Sequence, residues 1–126
     1  MAGSIRAGDA RSNSGAEEVM EFEITPEELK EKLDSGADLT VLDVREPWEH
    51  DAANIEGSKL IPMDQVPARV NQEFDPEDHI VVVCHHGIRS ANVAAWMQQQ
   101  GFERVQSLRG GIDRWSRVID PKVPLY

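Results

Sequence analysis

Four β-branched residues stand in an unbroken row at residues 80–83, with the sequence Ile-Val-Val-Val. β-Branched side chains favour extended backbone, and a strand without polar alternation is typical of a sheet that is covered on both faces. Such a strand belongs in the centre of a parallel sheet, because crossover helices cover both of its faces. The row therefore predicts an α/β domain, and it leads directly into Cys84.

Strand-like and helix-like segments alternate on both sides of this row. Further strands are predicted at residues 22–24, 39–44 and 105–108, with a short apolar piece at residues 60–61. Helices are predicted at residues 26–35, 65–72, 90–100 and 112–117. The polar segment that carries Pro47 and Gly57 is interpreted as a loop. Because strands separated by helices imply right-handed crossovers, we predict an α/β fold with a central, mainly parallel sheet flanked by helices.

The first predicted helix carries a complete set of start signals. Thr25 is expected to cap the helix, and Pro26 takes the first helical position, where its missing N–H costs nothing. Glu28 stands three residues after Thr25 and completes a capping box. Gly36 is expected to end the helix.

Composition limits the domain organisation and the classes of partner. Residues 1–20 lack periodicity and are predicted to be a flexible tail, whereas residues 21–126 are predicted to form one domain. No apolar run approaches the ~20 residues of a membrane span, and no secretory signal is recognisable, so we expect a cytoplasmic protein without membrane contact. The formal net charge of -10 makes nucleic acid a poor partner, because phosphate binding needs a basic surface.

The single cysteine, Cys84, opens the loop that follows the central strand. Ligands of open parallel sheets bind beyond the carboxyl ends of the strands, where loops enter helices. Inward-facing N–H groups, the positive end of a helix and a nearby cation all favour a thiolate, which is the reactive form of cysteine. Cys84 is therefore a candidate nucleophile, and the alternative is an inert, buried cysteine.

The loop after Cys84 supplies the candidate substrate-binding residues, which are His85, His86, Gly87, Ile88 and Arg89. Gly87 enters positive φ without strain and lets the loop curl around an anion. Arg89 is expected to attract an anionic substrate or to brace the loop, and we expect Arg89→Ala to weaken the use of anionic substrates more than it lowers stability. His85 and His86 could tune the charge on sulfur, contact substrate or be polar loop residues, and the sequence leaves these alternatives open.

A zinc site built from Cys84, His85 and His86 is disfavoured. Adjacent residues in a short loop rarely converge on one ion, and the chain has no second cysteine. We therefore expect neither a metal nor an organic cofactor.

Three motifs in this order resemble the rhodanese-homology family of sulfurtransferases. They are Leu-Asp-Val-Arg-Glu with Trp-Glu at residues 42–49, the cysteine loop, and Leu-Arg-Gly-Gly with Trp at residues 108–115. The resemblance implies a small, three-layer α/β domain and a cysteine that forms a persulfide. In this family the first motif is structural. Asp43 and Arg45, together with Ser90, are therefore expected to support the residues of the site without taking part in catalysis directly.

The resemblance also implies a two-step exchange of sulfur. The Cys84 thiolate would take sulfane sulfur from a small anionic donor such as thiosulfate, and an acceptor such as cyanide or a thiol would then remove it. A protein donor or acceptor is the alternative, which would make the chain a sulfur-relay module. A non-catalytic regulatory domain is a weaker alternative, because Cys84 is intact.

A phosphatase or an arsenate reductase is disfavoured by the length of the loop. Four residues separate Cys84 from Arg89, one fewer than in cysteine-dependent phosphatases. The shorter loop encloses a smaller cradle, which suits a sulfur atom better than a tetrahedral phosphoryl group. An arsenate reductase would in addition need an external resolving thiol.

Overall fold

A computed structural model describes residues 20–126 of the chain. The predicted tail at residues 1–20 lies outside this part except for Met20. Within residues 20–126, five parallel strands form one sheet in the order β1-β5-β4-β2-β3. The strands are β1 (Glu23–Ile24), β2 (Thr40–Asp43), β3 (Lys59–Leu60), β4 (Ile80–Val83) and β5 (Val105–Leu108). The α/β prediction with a parallel central sheet is confirmed, and β4 occupies the central position.

Residues 20–126 contain five α-helices, of which four connect successive strands and the fifth follows β5. They are α1 (Pro26–Asp34), α2 (Pro47–Ala52), α3 (Val66–Glu73), α4 (Ile88–Gln99) and α5 (Gly111–Val118), and a 3₁₀ turn at Met63–Gln65 precedes α3. Helix α1 has the predicted capping box, since Thr25 Oγ1 accepts from Glu28 N at 3.1 Å and Glu28 Oε1 accepts from Thr25 N at 2.9 Å. None of the helices in residues 20–126 has the length and apolar character needed to cross a bilayer.

The two faces of the sheet pack into two separate cores. Along β4, Ile80 and Val82 face one core, whereas Val81 and Val83 face the other. Helices α3 and α4 cover the first core, and α1 and α5 cover the second. Strand β4 is therefore buried on both sides, and it holds the residue at its carboxyl end in a rigid frame.

The interpretation of the polar segment after β2 as a loop is wrong, because residues Pro47–Ala52 form α2. Pro47 takes the first helical position, and the Glu46 N–H donates to Glu49 Oε1 at 2.9 Å. A helix of six residues shows too little apolar periodicity to stand out in sequence. Helix α4 also begins earlier than predicted, at Ile88 instead of Ser90, so the cysteine loop is tighter than expected.

Candidate active site

Cys84 lies directly after β4 and is 1% exposed. Its Sγ accepts hydrogen bonds from the N–H groups of Gly87, at 3.1 Å, and of Ser90, at 3.2 Å. The Ser90 Oγ lies 3.4 Å from the same sulfur and also contacts Ser107 Oγ at 2.8 Å. Backbone N–H groups that converge on a sulfur atom stabilise negative charge there.

Helix α4 begins within the cysteine loop, between the two residues that donate to the sulfur. Gly87 precedes the helix with a φ of 109°, a left-handed conformation that turns the loop back toward the sulfur. The N–H groups of Ile88 and Arg89 are the first two of α4, so helix geometry gives them no carbonyl partner within the helix. The Ile88 side chain is 76% exposed, so its contribution to the loop is its backbone.

Helix α5 holds the loop from the other side. The carbonyl groups of Cys84 and His85 accept from the N–H groups of Ile112, at 2.9 Å, and Asp113, at 3.1 Å. A Cβ atom on Gly111 would lie 2.3 Å from the His85 oxygen and 2.5 Å from the Cys84 oxygen. Only glycine lets α5 approach this closely, and the approach keeps these carbonyl groups bound to α5.

The two histidines of the loop stack on each other with ring centroids 4.1 Å apart. His85 also stacks on Tyr126 at 4.2 Å, whereas His86 is exposed. Burial and the neighbouring His86 lower the pKa of His85 below 6.5. The His85 ring is therefore neutral at pH 7 and adds no cation to the site.

Arg89 forms a two-pronged ion pair with Glu49 of α2. Nη1 donates to Oε1 at 2.8 Å and Nη2 donates to Oε2 at 2.9 Å. These bonds outweigh the opposing effect of burial and lower the pKa of Glu49 from 4.5 to about 2. The pairing likewise raises the pKa of Arg89. The expectation that Arg89 attracts the donor needs a free guanidinium, and the structure shows a paired one.

Asp43 and Arg45 form a second ion pair beneath the loop, and both side chains are almost fully buried. Arg45 Nε donates to Asp43 Oδ1 at 2.8 Å, and Nη2 donates to Oδ2 at 2.7 Å. Burial disfavours the charged Arg45, but its bonds with Asp43 and Tyr126 outweigh this and raise its pKa. Neither residue hydrogen-bonds to Cys84, so they reach the loop only through neighbours.

Tyr126 connects the two ion pairs. Its Oη accepts from Arg45 Nη1 at 2.8 Å and donates to Glu49 Oε2 at 2.8 Å. An unbroken chain of hydrogen bonds thus runs from Asp43 through Arg45, Tyr126 and Glu49 to Arg89.

Glu49 and Tyr126 are not among the site residues that the sequence predicts. Glu49 does carry a sequence signal, because it stands three residues after Glu46 with Pro47 between them. Nothing in the sequence indicates its partner, which lies 40 residues away. Tyr126 follows two prolines at the end of a polar segment and carries no comparable signal.

Residues 20–126 contain no group of three or more His, Cys, Asp or Glu side chains arranged to hold a metal ion.

The chain is similar in both sequence and structure to proteins of one family. The family described as "Rhodanese-like domain" matches residues 25–118. The thiosulfate sulfurtransferase GlpE of Pseudomonas aeruginosa is 38% identical over 95 residues, which is 75% of this chain and 84% of GlpE. A crystal structure of a rhodanese-like domain protein from Staphylococcus aureus superposes with a TM-score of 0.72 at 31% identity, covering 84% of this chain and 99% of that one.

A longer relative matches over only part of its length. The Mycobacterium tuberculosis protein named "Probable adenylyltransferase/sulfurtransferase MoeZ" is 38% identical over 104 residues, which cover 82% of this chain but 26% of that protein. The alignment with GlpE, by contrast, covers 84% of that relative's own length, and the family match spans residues 25–118 of the present chain. The cysteine loop, the parallel sheet and these similarities together show that the chain belongs to the rhodanese-like domain family of sulfurtransferases.

Proposed function

We propose that the protein transfers sulfane sulfur through a persulfide on Cys84. The observation that supports this most directly is that the N–H groups of Gly87 and Ser90 both donate to Cys84 Sγ. A second sulfur atom bound to Sγ carries negative charge, and the N–H groups at the start of α4 are available to stabilise it. No cofactor is needed for this chemistry.

The exchange balances without an external oxidant. The Cys84 thiolate attacks the outer sulfur of the donor, and the donor's bond to that sulfur breaks. With thiosulfate the leaving group is sulfite, which takes the bonding electron pair, and Cys84 keeps a persulfide. An acceptor thiolate or cyanide then attacks the outer sulfur, forms a new persulfide or thiocyanate, and returns the Cys84 thiolate. A thiol acceptor fits a reducing compartment, so we place the protein in the cytoplasm.

A sulfur-relay role with a protein partner is the second candidate. Ile88, at the start of α4, is 76% exposed, and Trp48 is 63% exposed. The Trp48 ring meets Tyr126, which itself stacks on His85 of the cysteine loop. Exposed apolar side chains beside a reactive group favour contact with another protein. A relay module would accept sulfur faster from a persulfidated protein than from thiosulfate, and faster turnover with thiosulfate would exclude this role.

The test is the intact mass of the protein after incubation with a sulfane sulfur donor. Because the chain has one cysteine, a gain of one sulfur atom that a reducing thiol reverses assigns the persulfide to Cys84. Cys84→Ser is the matched control and should gain nothing. If no donor adds sulfur at any concentration, the proposed function is wrong, and phosphate esters would be tested as substrates.

A further inference from the structure

We propose that Glu49, held in place by Tyr126, sets the donor specificity of the site by neutralising Arg89. With that charge cancelled, the loop selects sulfane sulfur donors that carry at most one negative charge over dianions such as thiosulfate. This inference rests on the proposed function, because donor selection presupposes sulfur transfer at Cys84.

The arginines next to the cysteine loop are both paired with carboxylates. The two arginines described above, Arg89 and Arg45, are each bound by both oxygens of a carboxylate. The carboxylate partners Glu49 and Asp43 are buried, with side chains 6% and 2% exposed. The cysteine loop therefore gains little net positive charge from Arg89 and Arg45.

Glu49 holds the guanidinium group of Arg89 firmly in place. Glu49 accepts hydrogen bonds from both terminal nitrogens of Arg89, from Tyr126 Oη and from the Glu46 N–H. If Arg89 turned toward an incoming anion, a buried carboxylate would lose its cation, which is a costly change. The ion pair therefore stays closed when a donor binds.

The cysteine loop offers an incoming donor its N–H groups but little positive charge. The N–H groups of the loop recognise the sulfane sulfur, which all donors share. A second negative charge on the donor would need a free cation, and the chain as a whole is acidic, with a formal net charge of -10. The protein therefore exerts no long-range electrostatic attraction on an anionic donor. The free-energy cost of desolvating a dianion is not offset by a new ion pair.

The effect of the second negative charge can be measured with two donors that are otherwise alike. Thiosulfate and methanethiosulfonate present the same terminal sulfur, but a methyl group replaces one charged oxygen in the second. Their leaving groups are sulfite and methanesulfinate, each taking the electron pair of the broken sulfur–sulfur bond. The experiment measures kcat/KM for both donors at low ionic strength with cyanide as the acceptor. We expect the wild-type protein to prefer methanethiosulfonate.

Glu49→Gln should release the Arg89 charge. We expect the ratio of kcat/KM for thiosulfate to that for methanethiosulfonate to rise about tenfold, chiefly through a lower KM for thiosulfate. Glu73→Gln is the matched control, because Glu73 of α3 pairs with Lys59 of β3 and Arg69 of α3, and its loss changes the net charge equally. The control should leave the ratio unchanged. In the double variant Glu49→Gln/Arg89→Gln the gain should disappear.

The inference is overturned if Glu49→Gln leaves the ratio unchanged, or if the gain persists without Arg89. A wild-type preference for thiosulfate, with a KM that rises steeply with salt, would also overturn it, and this measurement needs no variant. Failure of the proposed function gives a different result, since neither donor would then add sulfur to Cys84 in the intact mass.

Discussion

Gly111 lies so close to the cysteine loop that a Cβ atom at this position would overlap the carbonyl oxygens of Cys84 and His85. The carbonyl groups of Cys84 and His85 bind the first N–H groups of α5, and they reach them only because residue 111 has no side chain. This contact positions the loop from outside, whereas Gly87 and Ser90 position it from within. The placement of the sulfur therefore depends on Gly111, which does not hydrogen-bond to it, as well as on Gly87 and Ser90, which do.

Gly111→Ala should displace the loop and lower both stability and sulfur loading. Gly36→Ala is the matched control, because Gly36 also has a positive φ, of 77° against 63°, but a Cβ there would meet nothing within 4 Å. The control should lose about 1 kcal/mol, the cost of a left-handed alanine, whereas Gly111→Ala should lose at least about 2 kcal/mol more. Urea unfolding and intact mass measure the two effects. Equal losses in the two variants would contradict the role of the close approach.

Arg89→Ala should destabilise the protein by about 3 kcal/mol, because it leaves Glu49 as a buried carboxylate without its cation. This differs from the sequence-based expectation that donor use would suffer more than stability. Arg109→Ala is the control, since Arg109 pairs with Glu23 on the exposed surface and should cost less than about 1 kcal/mol. Urea unfolding compares the two variants. A stable Arg89→Ala protein with poor thiosulfate turnover would support the earlier expectation instead.

The helices and strands show which parts of the fold the sequence could predict. Strand β4 and helix α1 were predictable because an unbroken β-branched row and a complete capping box are strong local signals. Helix α2 was not, because its six residues carry little periodicity. The start of α4 was placed two residues late, since the signal there is the left-handed conformation of Gly87 and not a capping side chain.

Thr25→Ala should remove the capping box of α1 and cost about 1 kcal/mol. Sulfur loading should stay at the wild-type level, because α1 packs on the core that lies across the sheet from α4. Thr25→Ser keeps the accepting oxygen and serves as the control. Thermal unfolding together with intact mass checks both statements, and a loss of loading in Thr25→Ala would show that α1 influences the loop.

At the scale of the whole molecule, the site combines residues far apart in the chain. Cys84 and its loop could be predicted because they are contiguous and follow a recognisable strand. The contacts of Glu49 could not, because its partners Arg89 and Tyr126 lie 40 and 77 residues away. Such pairings follow from the strand order β5-β4-β2, which local patterns do not encode.

The ion pair of Glu49 should make stability depend on pH. Its pKa falls from 4.5 to about 2 on folding, so its contribution is complete above about pH 4.5 and is lost as the pH falls toward 2. Between pH 7 and pH 3 the advantage of the wild-type protein over Glu49→Gln should shrink by about 2 kcal/mol. Urea unfolding of both proteins at the two pH values measures this. Parallel pH profiles would contradict it.

The Glu49–Arg89 pair has a consequence for how such a protein changes over generations. Glutamate and glutamine codons differ by one base, so a single mutation would separate a lineage with a closed pair from one with a free guanidinium. The loop, the thiol and the sheet would keep their arrangement, and only the preferred sulfur donor of the proposed reaction would differ. A population facing a new source of sulfur could thus adapt at residue 49 without rebuilding its catalytic centre.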